Sequence, residues 1–199
     1  MKNKLFLLLL SISLSVFLIS CGTSEKHNSS LNNKKEDILL DEEKKDTTII
    51  SSEEDSSIDI EKQDLLLKYL NEDLYNVVVY ENIVSTTYDS VSVNNYTDDY
   101  TMYTALIDTI ITNSLQLINE AEAIECGFDE LREVHELYIK AMNIQHQAFT
   151  IIVVAIENQD SSKISEANEL LYEARKYYRD YLSELESLCT ANDVILQQQ

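Results

Sequence analysis

Three histidines and three cysteines are all the imidazoles and thiols this 199-residue chain has for metal binding, proton transfer or nucleophilic attack. His135 and His146 stand eleven residues apart. On a helix that spacing turns about 1100° and returns to nearly the same face, but it also climbs about 16 Å. Metal–nitrogen bonds are about 2 Å long, so the two cannot share one ion. The Glu-x-x-His pattern of di-iron helical bundles fails as well, because Arg132 and Asn143 occupy the positions where glutamates are needed. Both histidines are read as boundary residues facing a neighbouring helix, and His27 lies in a polar tether. Gly-x-Ser-x-Gly, His-Glu-x-x-His and Cys-x-x-Cys are absent, and Gly22 and Gly127 alone cannot build a phosphate loop. The expectation is a protein that is not an enzyme, with no catalytic residue, no metal ligand and no cofactor.

Two further groupings could carry binding or covalent chemistry. Cys126 and Cys189 fall at the same end of the molecule if the second and fourth helices run in the same direction. They are then either a disulfide or a pair of free, partly buried thiols. A bridge across so long a loop would be worth about 4 kcal/mol and requires a Cα separation below about 7 Å. The second grouping is Arg175, Lys176, Tyr177 and Arg179, which holds three of the eight basic residues found in 60–199. Arg and Tyr are enriched where interfaces concentrate their energy, so this is the candidate partner-binding patch. Its bland alternative is local pairing such as Glu173 with Lys176.

The elements that must position these residues are helices. With 2 Gly, 0 Pro and 44% hydrophobic residues, the chain nearly lacks the means to make tight turns, which argues against sandwiches, barrels and α/β enzymes. From about Ile60, apolar residues recur with alternating steps of three and four. The first stripe is Leu67, Leu70, Leu74, Val77, Val84, Tyr88 and Val91, interrupted by Glu81. The second is Tyr96, Tyr100, Tyr103, Ile107, Ile110, Ser114, Leu117, Ala121 and Ile124. The third is Leu131, Val134, Tyr138, Ala141, Gln145, Ala148, Ile152 and Ala155. The fourth is Ile164, Ala167, Leu171, Ala174, Tyr178, Tyr181, Leu185 and Leu188. The tyrosines on these stripes are read as core residues with hydroxyls reaching polar partners. Breaks at Asn94-Asn95, at Cys126-Gly127-Phe128-Asp129, with Asp129 as N-cap, and at Asn158–Ser162 separate helices over 60–92, 97–125, 129–158 and 162–192. Short connections make neighbours antiparallel. The predicted fold is all-α, an up-down-up-down four-helix bundle over 60–199.

The N-terminal third reads differently. Lys2 and Lys4 precede an uncharged run from Leu5 to Ser20, shorter than the ~20 residues a spanning helix needs but suited to a signal-peptide core. It ends in Leu18-Ile19-Ser20-Cys21-Gly22, which resembles the lipobox of bacterial lipoproteins. That resemblance implies a signal peptide over 1–20, cleavage before Cys21 and a lipid on its sulfur; more than one acyl chain makes such an anchor stable. Residues 21–59 are then the lipidated cysteine and a disordered polar tether. Elsewhere the most apolar run, Ala148–Ile156, reaches only about 13 Å as a helix, so no other segment is expected to span a bilayer.

Asp plus Glu number 36 against 15 Lys plus Arg, a formal charge of −21, of which residues 60–199 carry −17 (25 acidic, 8 basic). Such a surface repels nucleic acid and anionic lipid headgroups. The expected location is extracytoplasmic, tethered to the bacterial membrane through Cys21. The expected role is a non-enzymatic interaction module for an envelope protein, with a small-ligand or cation-binding lipoprotein as the alternative. In style the helical part resembles the uncharacterised helical lipoproteins of low-GC Gram-positive bacteria.

Overall fold

The computed structural model describes residues 53–196, with side chains from Ile60 onward. The expected signal peptide, Cys21 and the tether up to residue 52 lie outside the described residues. Among the described residues every regular element is helical and no strand occurs, so the protein is all-α.

The elements form four helical runs. In the first, α1 (Glu53–Lys68) passes through a π-turn (Tyr69–Asp73) into α2 (Tyr75–Val91). In the second, α3 (Asp99–Ala105) passes through another π-turn (Leu106–Ile110) into α4 (Ile111–Glu122). The third and fourth runs are single long helices, α5 (Asp129–Asn158) and α6 (Ser161–Ala191). The helix starts at Glu53, seven residues before the expected Ile60. Extending a helix that already exists costs far less than nucleating one, so polar residues ahead of an apolar stripe can join it.

The two π-turns explain where the apolar stripes were misread. Each adds one residue to the winding, so everything upstream rotates by about 100°. Leu67, expected inside, is exposed, and Leu66 is fully buried in its place. In the second run Met102 and Leu106 are buried where Tyr103 and Ile107 were expected, and Tyr96 and Tyr100 stand outside, Tyr100 at 79% exposure. Downstream of each π-turn, Leu74, Val77 and Val84, and Ile110, Ser114, Leu117 and Ala121, are buried as their spacing requires. The third stripe has no π-turn and is buried throughout except for the half-buried Gln145. In the fourth, Ile164 is exposed near the helix start, and Cys189 is buried beside a half-buried Leu188.

Connections follow local chemistry with two departures from expectation. Asp98 caps α3 by accepting from the Thr101 amide at 2.8 Å, and Asp160 caps α6 by accepting from the Ser162 amide at 2.9 Å. Asp129 is not a cap; it lies in the first turn of α5, where its charge meets the helix dipole, and Phe128 holds the cap position without a side-chain bond. Gly127 does not supply a left-handed residue either. It lets Leu65 of α1 pack close, since a Cβ there would lie 2.6 Å from Leu65 Cδ2 and that side chain would have to turn away. The left-handed stop of α5 is Gln159, at φ 54°.

The core divides into two apolar clusters. One holds Leu66, Tyr69, Leu70, Val77, Leu117, Leu131, Tyr138, Ala141, Tyr178, Leu185 and Cys189. The other holds Val84, Met102, Leu106, Ile110, Ala148, Phe149, Ile152 and Leu171. On each run one stripe position falls between the clusters, and these four are Glu81, Ser114, Gln145 and Ala174. Three are polar and the fourth is small.

By length and composition α5 is apolar enough to cross a membrane, which corrects the expectation that no second segment is. Counting one unbroken apolar run missed it, because Lys140, Asn143 and the polar residues 145–147 interrupt the apolar residues between Ile139 and Ile156 without adding more than one charge. The face of α5 carrying Tyr138, Ala141, Ala148, Phe149 and Ile152 is buried against its neighbours.

Candidate functional sites: a tyrosine-lined carboxyl and a basic helix face

Glu81 sits on α2 at a core position, between the buried Val77 and Val84. The residue as a whole is half-buried, but its carboxyl turns inward, where it accepts a 3.1 Å hydrogen bond from the Tyr138 hydroxyl of α5 and a second from the Tyr178 hydroxyl of α6. Tyr138, Tyr178 and Tyr181 pack ring against ring around it, with centroids 5.1–6.1 Å apart. Burial pushes the Glu81 carboxyl up to about 7, and the two tyrosine donors only partly oppose this. The carboxylate in turn raises the already elevated ionisation of Tyr138, whose main cause is burial.

A second polar chain continues from this point. His135, buried on α5, makes one bond through each ring nitrogen: Nε2 lies 2.9 Å from the Ala121 carbonyl, and Nδ1 lies 2.8 Å from the Tyr69 hydroxyl. A carbonyl only accepts, so Nε2 carries the proton and Nδ1 accepts from Tyr69. The Tyr69 oxygen also lies 3.2 Å from the Tyr181 hydroxyl, and the His135 ring stacks on Tyr138 at 14°. Burial lowers the His135 pKa, which keeps the ring neutral and suits this arrangement. His146 pairs with Ser114 at 2.7 Å, and burial lowers its pKa too. Both histidines therefore face a neighbouring helix and bind it through a neutral ring.

The patch expected over 175–179 is divided by the winding of α6. Tyr177 turns toward α5, where the Lys140 ammonium sits 4.1 Å from its ring centroid. Arg175 is half-buried, donates from Nε to the Leu171 carbonyl at 3.1 Å, and acts on the buried Tyr88 phenol. Lys176 and Arg179 are exposed, and neither forms an ion pair with a described residue. The aromatic on their side is Tyr172, four residues before Lys176 and 65% exposed, which the sequence reading passed over.

The chain matches no family model, no curated protein and no solved structure. What it can do must be argued from its own residues.

Cys126 and Cys189 are free thiols in the structure, half-buried and buried respectively. Both pack on the cluster that contains Tyr181 and both bear on its hydroxyl, so they share one end of the domain. Burial lifts each thiol to about 11, which leaves little thiolate at neutral pH. Among the described residues no group of three or more His, Cys, Asp or Glu is placed to hold a metal ion. Tyr69 and the role of Glu81 were the other features missed. Glu81 had left a signal, a charge interrupting an apolar stripe.

Proposed function

We propose that this chain is a lipid-anchored extracytoplasmic lipoprotein of a bacterial envelope, whose helical domain is a non-enzymatic interaction module for another envelope protein. The location rests on the lipobox-like Leu18-Ile19-Ser20-Cys21 after a short apolar run. The interaction role rests on one observation: Lys176 and Arg179 stand exposed, without an ion pair among the described residues, on the side of α6 that carries Tyr172, in a domain carrying −17. Two cations and an aromatic ring on one side of a helix, set on an acidic body, favour an acidic protein surface.

The architecture we propose for the module is the up-down-up-down four-helix bundle. It is supported by contacts that alternate between ends. Lys62 pairs with Glu130 at 2.7 Å and Asn76 bonds Glu120 at 3.0 Å toward one end, while Tyr103 bonds Glu157 at 3.0 Å toward the other. A Cys126–Cys189 disulfide belongs to the same proposal, as the oxidised form of the exported protein.

Chemical crosslinking on intact cells, followed by mass spectrometry, tests this reading. One dominant envelope partner is expected, lost in an exported Cys21→Ala form and weakened by Lys176→Glu with Arg179→Glu. Self-links alone, or none, would overturn the interaction role and turn attention to the alternative, a small-ligand or cation-binding lipoprotein.

A further inference from the structure

We propose that Glu81 makes the helical domain proton-responsive: one proton taken up at its carboxyl tightens the first helical run against α5 and α6. The geometry supplies the reasons. A carboxyl at a core position, flanked by Val77 and Val84, finds tyrosine hydroxyls as its hydrogen-bond partners among the described residues. Hydroxyls solvate a neutral acid well, but they do not replace the water or the cation that an ionised one needs. Burial and two uncharged donors are what act on this group, and the result is a carboxyl that titrates at about 7.

Among the described residues, the second run, against which α2 packs most extensively, contributes no group to those acting on the Glu81 carboxyl. From α5 come Tyr138, with the neutral His135 stacked behind it, and His146, which is engaged with Ser114 of α4. From α6 come Tyr178 and Tyr181, while the Arg175 charge bears on Tyr88. Burial holds Tyr138 and Tyr181 far above neutral pH, so the tyrosines stay protonated throughout. Glu81 also lies between the two apolar clusters, after Val77 of one and before Val84 of the other. Glu81 as a whole is half-buried, so solvent is near. On an exported domain, as proposed above, the medium would set that proton directly, but the device itself does not depend on location.

The sign follows from linkage. Glu81 has a folded-state pKa near 7 against an unfolded value of 4.5, so its contribution is fully present below 4.5 and is lost as pH rises through 7. The experiment is urea unfolding of the full chain in detergent between pH 4.5 and 8.5, comparing wild type with Glu81→Gln, a neutral isostere. That variant keeps His135, His146 and the acidic surface, so their effects cancel in the ratio of the two folding constants. The ratio of wild type to variant is expected to rise about tenfold for each pH unit below 7. Corrected amide-exchange protection in Tyr75–Val91 is expected to rise on acidification in the wild type alone. A constant ratio would overturn the proposal. Should Glu81→Gln not fold, carboxyl-selective infrared titration of the wild type decides: a midpoint near 4.5 refutes the device, and one near 7 supports it.

Discussion

The hydroxyl of Tyr69 lies 2.8 Å from Nδ1 of His135, tying the π-turn of the first run to the opening third of α5. His135 is held at its other nitrogen by the Ala121 carbonyl at the end of α4, so one imidazole ties together three runs. Tyr69→Phe leaves Nδ1 buried without a donor and removes a partner of Tyr181. An unsatisfied buried acceptor costs about 1–3 kcal/mol. Urea unfolding should show a loss in that range; a change under about 0.5 kcal/mol would mean water or a shifted side chain replaces the bond.

Acid should act on the histidines in the direction opposite to Glu81. Burial lowers the pKa of His135 and His146, so their stabilising neutral state is lost as pH falls from the unfolded value of 6.5 through the folded ones. Replacing His135 by Gln should therefore reduce the acid sensitivity of folding below pH 6.5 even though it lowers stability at pH 8. A pH profile of unfolding midpoints that keeps its wild-type shape would refute this.

Val93 sits at φ 50° in the connection between α2 and α3 and is 62% exposed. A β-branched side chain in the left-handed region is strained by about 1–3 kcal/mol. Glycine removes the strain, loses little burial, and adds unfolded-state freedom of about 0.5–1 kcal/mol. Val93→Gly is thus expected to stabilise by about 1 kcal/mol in thermal unfolding. Destabilisation would show that contacts of the isopropyl group outweigh the strain.

The register shift caused by the second π-turn exchanges two positions, since a regular heptad puts Tyr100 on the core stripe and leaves Leu106 off it. Leu106→Ala empties a fully buried position and should cost about 2–5 kcal/mol. Tyr100→Ala removes an exposed ring and should stay within about 0.5 kcal/mol. Equal losses would place Tyr100 in the core after all.

Cys126 and Cys189 share one end of the domain, and an oxidising compartment would join them. Intact mass of protein recovered from cells, with and without reductant, should differ by the two hydrogens of one disulfide, about 2 Da. Identical masses would retain both as the free thiols of the structure.

The caps were not legible in the sequence: Asp98 and Asp160 cap where no cap was named, and Phe128 stands where Asp129 was expected. The helical class and the approximate breaks between helices were legible, because they depend on spacing within one run. The inner faces of α5 and α6 were legible for the same reason. The faces of α1 and α3 were not, since a π-turn leaves no mark of its own in the sequence and surfaces only as Leu66 replacing Leu67, or Leu106 replacing Ile107. The polar core was half legible. Glu81 announced itself as an interruption, but its tyrosine partners lie 57 residues away or more, and that pairing requires the fold. The basic cluster of α6 was found, though winding exchanges Tyr177 for Tyr172 on its outer side.

Only Gln159 and Asp160 separate α5 from α6, and no other pair of helices shares so extensive a contact. Bringing these two helices together therefore closes the shortest loop in the domain and sacrifices the least chain entropy. The hairpin is the expected nucleus of folding, a surface made early from local contacts. The two π-turn-bearing runs then dock onto it, so substitutions along Ala148–Ile152 and Ala167–Leu171 should slow folding, while those in α1 and α3 should mainly hasten unfolding. Stopped-flow refolding and unfolding rates of such variants distinguish the two, and the opposite pattern would place the nucleus in the first half of the chain.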